Sequence, residues 1–246
     1  MQNNVKLTLA YDGANYFGWQ RTLTGPSIQQ TIEVSLALIL REPIHVNGAS
    51  RTDRGVHAKG QTLSFLTHSP FTTKTLWNLN KVLPKDITAT SFELMPLDFH
   101  ATLSVSSKIY RYRLTNTLYQ FPQNRFTEWH HPYPLDHTLM QQACALLTGT
   151  HDFEALSNQK NNETYDNHIR TLKRVEVLKE GNQFTFIIEG DNFLYKMVRN
   201  LVGLVVYVGQ GKISLSDIPL ILESKDRTKA GVTAPAHGLF LDKVIY

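Results

Sequence analysis

Asp53 stands between two arginines, Arg51 and Arg54, in the stretch "GASRTDRGVHAKGQ" of residues 48–61. Cations whose side chains turn towards a carboxylate hold it ionised, a state that suits a nucleophile rather than a general acid. An aspartate beside a glycine-containing turn is equally at home as a turn former, so both readings stand at this point. An ordinary glycosidase would need a second carboxylate, kept protonated for the leaving group. None lies in this segment. Glu42 and Asp86 are the nearest acids in sequence, and either could approach in three dimensions.

Other chemistries have less to build on. His130, His131 and His137 fall in a proline-rich loop and at a helix start without paired ligand spacing, so no metal site is expected. The single cysteine, Cys144, lies inside a helical pattern and reads as a core residue rather than a thiolate nucleophile. There is no GxxxxGK phosphate loop and no GxGxxG turn, so neither a nucleoside triphosphate nor a dinucleotide is implied.

A lone cysteine cannot form an internal disulfide, and the chain reads as cytoplasmic. The start, "MQNNVKLTLAYDG", shows no secretory pattern, and the longest apolar run, "LVGLVVYVG" from Leu201, is far shorter than the roughly 18 residues of a membrane span. A formal charge of +4 is compatible with a polyanionic partner but does not require one.

The elements that must position Asp53 can be read from apolar spacing. Val5–Tyr11 alternates as a strand and ends in a "YDG" turn. Pro26, then Ser27 with Gln30 three residues on, form a capping-box pattern opening a helix with Ile28, Ile32, Leu36 and Ile39 on its core face. His45–Ala49 and Gln61–Thr67 read as strands, which puts Asp53 on the loop between them, where catalytic groups are often found. A second helix through Leu76, Leu79 and Leu83 stops at Pro84, and Ile87–Met95 follows as a strand.

The second half begins in the same way. "SKIYRYRLTN" is a strand and 136–148 a helix stopped by Gly149, after which a hairpin joins "RTLKRVEVLK" to "QFTFIIEG". Leu194, Met197, Val198, Leu201 and Val205 make a helical stripe, Ser216 opens a short helix, and "LFLDKVIY" closes the chain as a strand. Two halves with the same order of elements, meeting near Leu103, imply a duplicated α+β unit with a cleft where the halves pack, although no residue-level repeat is visible.

The segments "YDGANYFGWQR", "PSIQQTIE", "RTDRGVHAKGQ", "DFHA", "YRYRL", "MVRNLVG" and "APAHGLFL", in this order and across nearly the whole chain, resemble the tRNA pseudouridine synthase A family. The resemblance implies an α+β fold of two similar lobes, each like an RNA-recognition or ferredoxin-like module, at 1–103 and 104–246. They would share a largely antiparallel sheet with the active-site cleft between them. It further implies a homodimer that isomerises uridine to pseudouridine in the tRNA anticodon stem-loop, at the positions conventionally numbered 38, 39 and 40, with no cofactor and no metal.

On the resemblance, Asp53 is the catalytic aspartate. It attacks ribose C1′, promotes formation of a glycal, or adds to C6 of the ring. Tyr110, the first tyrosine of "YRYRL", would stack on the target uracil and help remove its C5 proton; on composition alone a strand tyrosine is more often core. Arg199 would orient the carboxylate, Arg51 would assist base flipping, and Leu239 beside Gly238 would wall the uracil.

Arg21, Lys59, Lys108, Arg111, Arg113 and Lys196 are candidates for a basic track along phosphates. Two positions depart from the family pattern. Ser50 replaces a glycine before "RTD", and Thr102 stands where an arginine is frequent after "DFHA". The competing readings are a noncatalytic RNA-binding module, for which Asp53 would be dispensable, and a hydrolase that releases free base.

Overall fold

A computed structural model describes residues 2–159 and 165–246, which form two compact units. The first comprises 1–106 together with 240–246, and the second comprises 107–239. Both are mixed α and β, built on mostly antiparallel strands.

In the first unit the element order is β1 (Asn3–Tyr11), α1 (Ile28–Leu40), β2 (Asn47–Gly48), β3 (His57–Thr67), α2 (Thr73–Val82) and β4 (Ile87–Met95). The strand β10 (Leu239–Ile245) returns to it at the end of the chain. β1 lies antiparallel between β4 and β3, while β10 runs parallel to β3 with Phe240 opposite His57. Along β1 Val5, Leu7, Leu9 and Tyr11 are buried while Lys6, Thr8 and Ala10 are half-exposed, the period of two that a sheet with one covered face demands.

The capping residue of α1 is Ser27, whose hydroxyl accepts the Gln30 amide; Ile28, Ile32, Leu36 and Leu40 are buried. The full reciprocal box forms instead on α2, between Thr72 and Thr75. That pairing has the same physical basis, but neither threonine stands out in the sequence. The strand expected over His45–Ala49 is confined to β2, and β3 begins at His57, so the loop carrying Asp53 is shorter than the spacing suggests.

The second unit contains β5 (Ser107–Thr115), β6 (Trp129–His130), α3 (His137–Leu147), β7 (Gly149–Asp152), β8 (Ile169–Glu180), β9 (Gln183–Gly190), α4 (Met197–Gly209) and α5 (Asp217–Ser224). Its strands run in the order β5-β9-β8-β7, all antiparallel, with β6 parallel to the far end of β5. The β8–β9 hairpin turns at Gly181, where φ of +58° favours glycine.

Almost every residue of α4 is buried, so it is the core of this unit rather than an amphipathic surface helix. Each fully buried valine or leucine there contributes roughly 1.5–3 kcal/mol of transfer free energy. The duplicated pattern predicts the last strand in the second half. Its parallel ladder with β3 places 240–246 in the first unit.

Cys144 is buried on α3, and burial pushes its thiol up to about 12. In the native protein it should resist alkylation at neutral pH and react only on unfolding. Iodoacetamide labelling followed by mass spectrometry, with and without urea, checks this; rapid native labelling would contradict it.

Candidate active site

The loop from 48 to 56 hangs from β2 and β3 and is pinned along its length. The Ala49 amide donates to Thr62 O (2.8 Å), and the Gln61 side chain donates to Ser50 O (2.6 Å). Thr52 is held twice: its hydroxyl shares a 2.8 Å hydrogen bond with Tyr11, and its carbonyl accepts the Trp19 amide at 3.0 Å. Gly18, at φ +94°, passes so close beneath that a Cβ there would lie 2.6 Å from Thr52 O. The Val56 amide then closes the turn onto Asp53 O at 3.1 Å, with Gly55 at φ +78°.

Asp53 is thus presented half-buried from a backbone that Tyr11, Trp19 and Gln61 immobilise. Arg51 and Arg54 beside it are exposed, and the Arg54 guanidinium lies 4.2 Å over the Phe17 ring. That stack draws at least one flanking cation onto an aromatic face.

The preceding "YDG" turn docks under the same loop. His57, stacked on Phe240 at 4.7 Å, has its Nδ1 3.1 Å from both the Gly13 amide and Asp12 Oδ1. One nitrogen cannot accept from the amide and donate to the carboxylate at once. The buried amide would be costlier to orphan than the exposed carboxylate, so we assign the hydrogen bond to Gly13.

Tyr11→Phe should therefore leave the Thr52 hydroxyl short of a partner in a buried place, at a cost of about 1–2 kcal/mol. Urea denaturation should show a lowered midpoint with unchanged slope. An unchanged midpoint would mean that water replaces the phenol.

In the second unit three sequence-predicted residues, Tyr110, Arg199 and Leu239, lie on β5, on α4 and at the end of the 231–239 segment. Tyr110 on β5 is buried and meets Phe193 edge-on at 5.1 Å. Two residues along the same face, Tyr112 donates to Pro235 O at 2.9 Å, and its ring lies so close to Gly238 that a Cβ there would sit 2.6 Å away. The 231–239 segment carrying Leu239, itself buried, is therefore fastened to β5.

Arg199 on α4 binds the same segment: its Nε donates to Ala234 O (2.7 Å), and the Ala234 amide donates back to Arg199 O (3.1 Å). Next to it, fully buried Asn200 gathers a polar network. Its amide donates to Leu156 O (2.7 Å) and Asn158 Oδ1 (2.9 Å), and its oxygen accepts from Arg227 (2.8 Å) and Thr233 (2.6 Å). Apart from Arg227 Nε, which is buried without a hydrogen-bond partner among the described residues, the network is paired throughout and fixes one arrangement of α4 and the segment. Neither Asn200 nor Arg227 stands out in the sequence, since a polar residue in an apolar helix and an arginine in a short turn carry no address for their partners.

The basic-track candidates divide. Arg21 is paired with buried Glu33, which also accepts the Val46 amide. Lys59 is exposed, and the Lys196 ammonium lies 5.0 Å over Tyr195. Lys108 is 8% exposed and does not face solvent as a phosphate contact would. At the departure from the expected pattern, the Thr102 hydroxyl donates to Gly48 O at 2.9 Å, tying the start of the Asp53 loop.

Among the described residues, the one His and carboxylate cluster with metal-like spacing is Asp152, Glu154 and His168, away from the histidines considered in the sequence. Lys225 already supplies its cation, 2.9 Å from Asp152 and 3.5 Å from Glu154.

An α+β chain that presents a fixed aspartate between two arginines in one unit, and a buried strand tyrosine and a carbonyl-anchored arginine in the other, carries polar groups of the kinds enzymes use. Residues 8–102 and 143–246 match the family described as tRNA pseudouridine synthase. The chain belongs to this family, whose members are isomerases that make pseudouridine in tRNA.

It is similar to the tRNA pseudouridine synthase A 2 of Protochlamydia amoebophila, with 48% identity covering 99% of this chain and 94% of the relative. The tRNA pseudouridine synthases A of Clostridium acetobutylicum and of Thermoanaerobacter sp. are each 40% identical, covering 99% of both chains. No helix of the described residues is long and apolar enough to cross a membrane.

Proposed function

We propose that this isomerase acts in the cytoplasm, as a homodimer, on uridines 38, 39 and 40 of the tRNA anticodon stem-loop, with Asp53 as the nucleophile. The observation that carries the reading is the immobilised loop that offers a half-buried carboxylate between two arginines. A nucleophile held by backbone and buried hydrogen bonds needs little reorganisation before it attacks.

Tyr110 stacks on the flipped uracil, whose ring needs an aromatic face to stay bound between cleavage and reattachment. Leu239 forms the apolar wall beside it, Arg199 orients the carboxylate, and Arg51 helps hold the flipped nucleotide. The exchange conserves atoms: the C1′–N1 bond breaks, the ring turns, a C1′–C5 bond forms, and the C5 proton leaves while N1 gains one. No water is consumed, which is why one carboxylate suffices where a glycosidase needs two.

The test is tritium release from C5-labelled uridine in an unmodified tRNA transcript, with nucleoside analysis of the product. Tritium release with pseudouridine at 38–40 and no free uracil is expected. Free uracil would establish a hydrolase, and tRNA binding without either product would establish a noncatalytic RNA-binding protein. Sedimentation at micromolar concentration tests the dimer.

A further inference from the structure

Lys108 is a buried amine that the reaction scheme above leaves unused. It lies on β5 on the same face as Tyr110, two residues away and thus about 7 Å along the strand. Across the ladder it faces Gly190, as Tyr110 faces Ile188. Gly190 has no side chain, and the Phe193 ring closes over it, since a Cβ there would lie 3.0 Å from Phe193 Cζ. Phe193 in turn is the residue that meets the Tyr110 ring.

The polar partner of Lys108 is Asn192 Oδ1, at 3.5 Å, the outer limit of a hydrogen bond. No carboxylate among the described residues pairs with it. Burial lowers its pKa to about 8. A buried cation without a counter-ion costs stability, and such groups collect where a ligand supplies the missing charge.

We propose that Lys108 is a substrate-contacting residue whose ammonium donates a hydrogen bond to a carbonyl oxygen of the target uracil while that ring carries negative charge. This rests on the reading that Tyr110 holds the uracil. When the C1′–N1 bond breaks, its electron pair stays on the ring, and the uracil anion spreads charge over O2 and O4. When Asp53 instead adds to C6, the resulting enolate places charge on O4. Both routes load a carbonyl oxygen, so a fixed donor lowers the barrier of either.

The test compares Lys108→Met and Lys108→Arg with wild type in single-turnover tritium release at saturating enzyme, together with tRNA filter binding and thermal melting. The methionine variant should be slower by about 100-fold, the scale for losing one donor to a developing oxyanion. Its tRNA affinity should be unchanged and its melting temperature unchanged or higher, because an unpaired buried charge has been removed. Arginine, which keeps the charge, should retain more of the rate.

Full rate in the methionine variant overturns the proposal. Weaker tRNA binding with full rate at saturation overturns it in favour of a phosphate contact. Rate and melting temperature falling together, and both restored by arginine, overturn it in favour of a structural role. Wild type releasing no tritium refutes the proposed function and this inference with it, whereas a failure confined to the lysine variants leaves the proposed function standing.

Discussion

Asp53→Asn should reduce pseudouridine formation by about 10⁴-fold or more while leaving the fold and tRNA binding intact. The substitution is nearly isosteric and removes the anionic oxygen that all three routes require, whether it attacks C1′, draws off a proton towards a glycal, or adds to C6. Losses of this size are typical when a group at the reacting centre is replaced without disturbing its surroundings.

The anchors that pin the loop should stay in place, because they run through atoms the substitution leaves alone. Thr52 is anchored by Tyr11 and Trp19, Ser50 O by Gln61, and the turn itself by the Asp53 carbonyl. Single-turnover tritium release, paired with filter binding and a urea melt, measures all three properties. A variant within ten-fold of wild type would remove Asp53 from the chemistry, and one with a lowered midpoint would make the loss of rate uninformative about the acid.

The sequence made legible those features in which local chemistry and apolar period agree. The alternation of β1, the Ser27 cap, the α3 start at Asp136 and the β8–β9 hairpin all stand where periodicity and turn residues place them. β6 and β7, of two and four residues, leave no mark in the sequence, since such short strands carry too little alternation and form because a longer strand offers an edge. The parallel return of β10 to β3 was equally hidden. Register between segments nearly two hundred residues apart is set by packing, here by Gly60, where a Cβ would lie 2.5 Å from Asp242 O.

In the site, single residues were legible and their buttresses were not. Asp53, Tyr110 and Arg199 stand out by type and motif. Tyr11, Trp19 and Gln61 look like ordinary strand and turn residues until their bonds to the Asp53 loop are seen. Lys108 shows the converse error. By type it belongs with the phosphate-contacting cations, but alternation along β5 turns it inward on the face of Tyr110.

Gly203→Ala should be the most damaging of the conservative substitutions in the second unit. A Cβ at Gly203 would fall 1.7 Å from the carbonyl oxygen of Val232, a backbone atom on the segment that α4 clasps. Main chain cannot rotate away as a flexible side chain does, so α4 and the segment must separate. That separation would break the paired Arg199–Ala234 bonds and strain the Thr233 contact to Asn200, both within two residues of the clash.

On the helix alone, alanine is favoured over glycine by about 1 kcal/mol, so a propensity argument predicts stabilisation. Overpacking of this severity outweighs it, costing about 3 kcal/mol or more. A urea melt should therefore show a fall well beyond any propensity gain, and residual folded enzyme should turn over more slowly because Arg199 has lost its carbonyl anchor. If Gly203→Ala melts at or above wild type, the segment can move without cost, and the close approach of α4 does not hold the arginine in place.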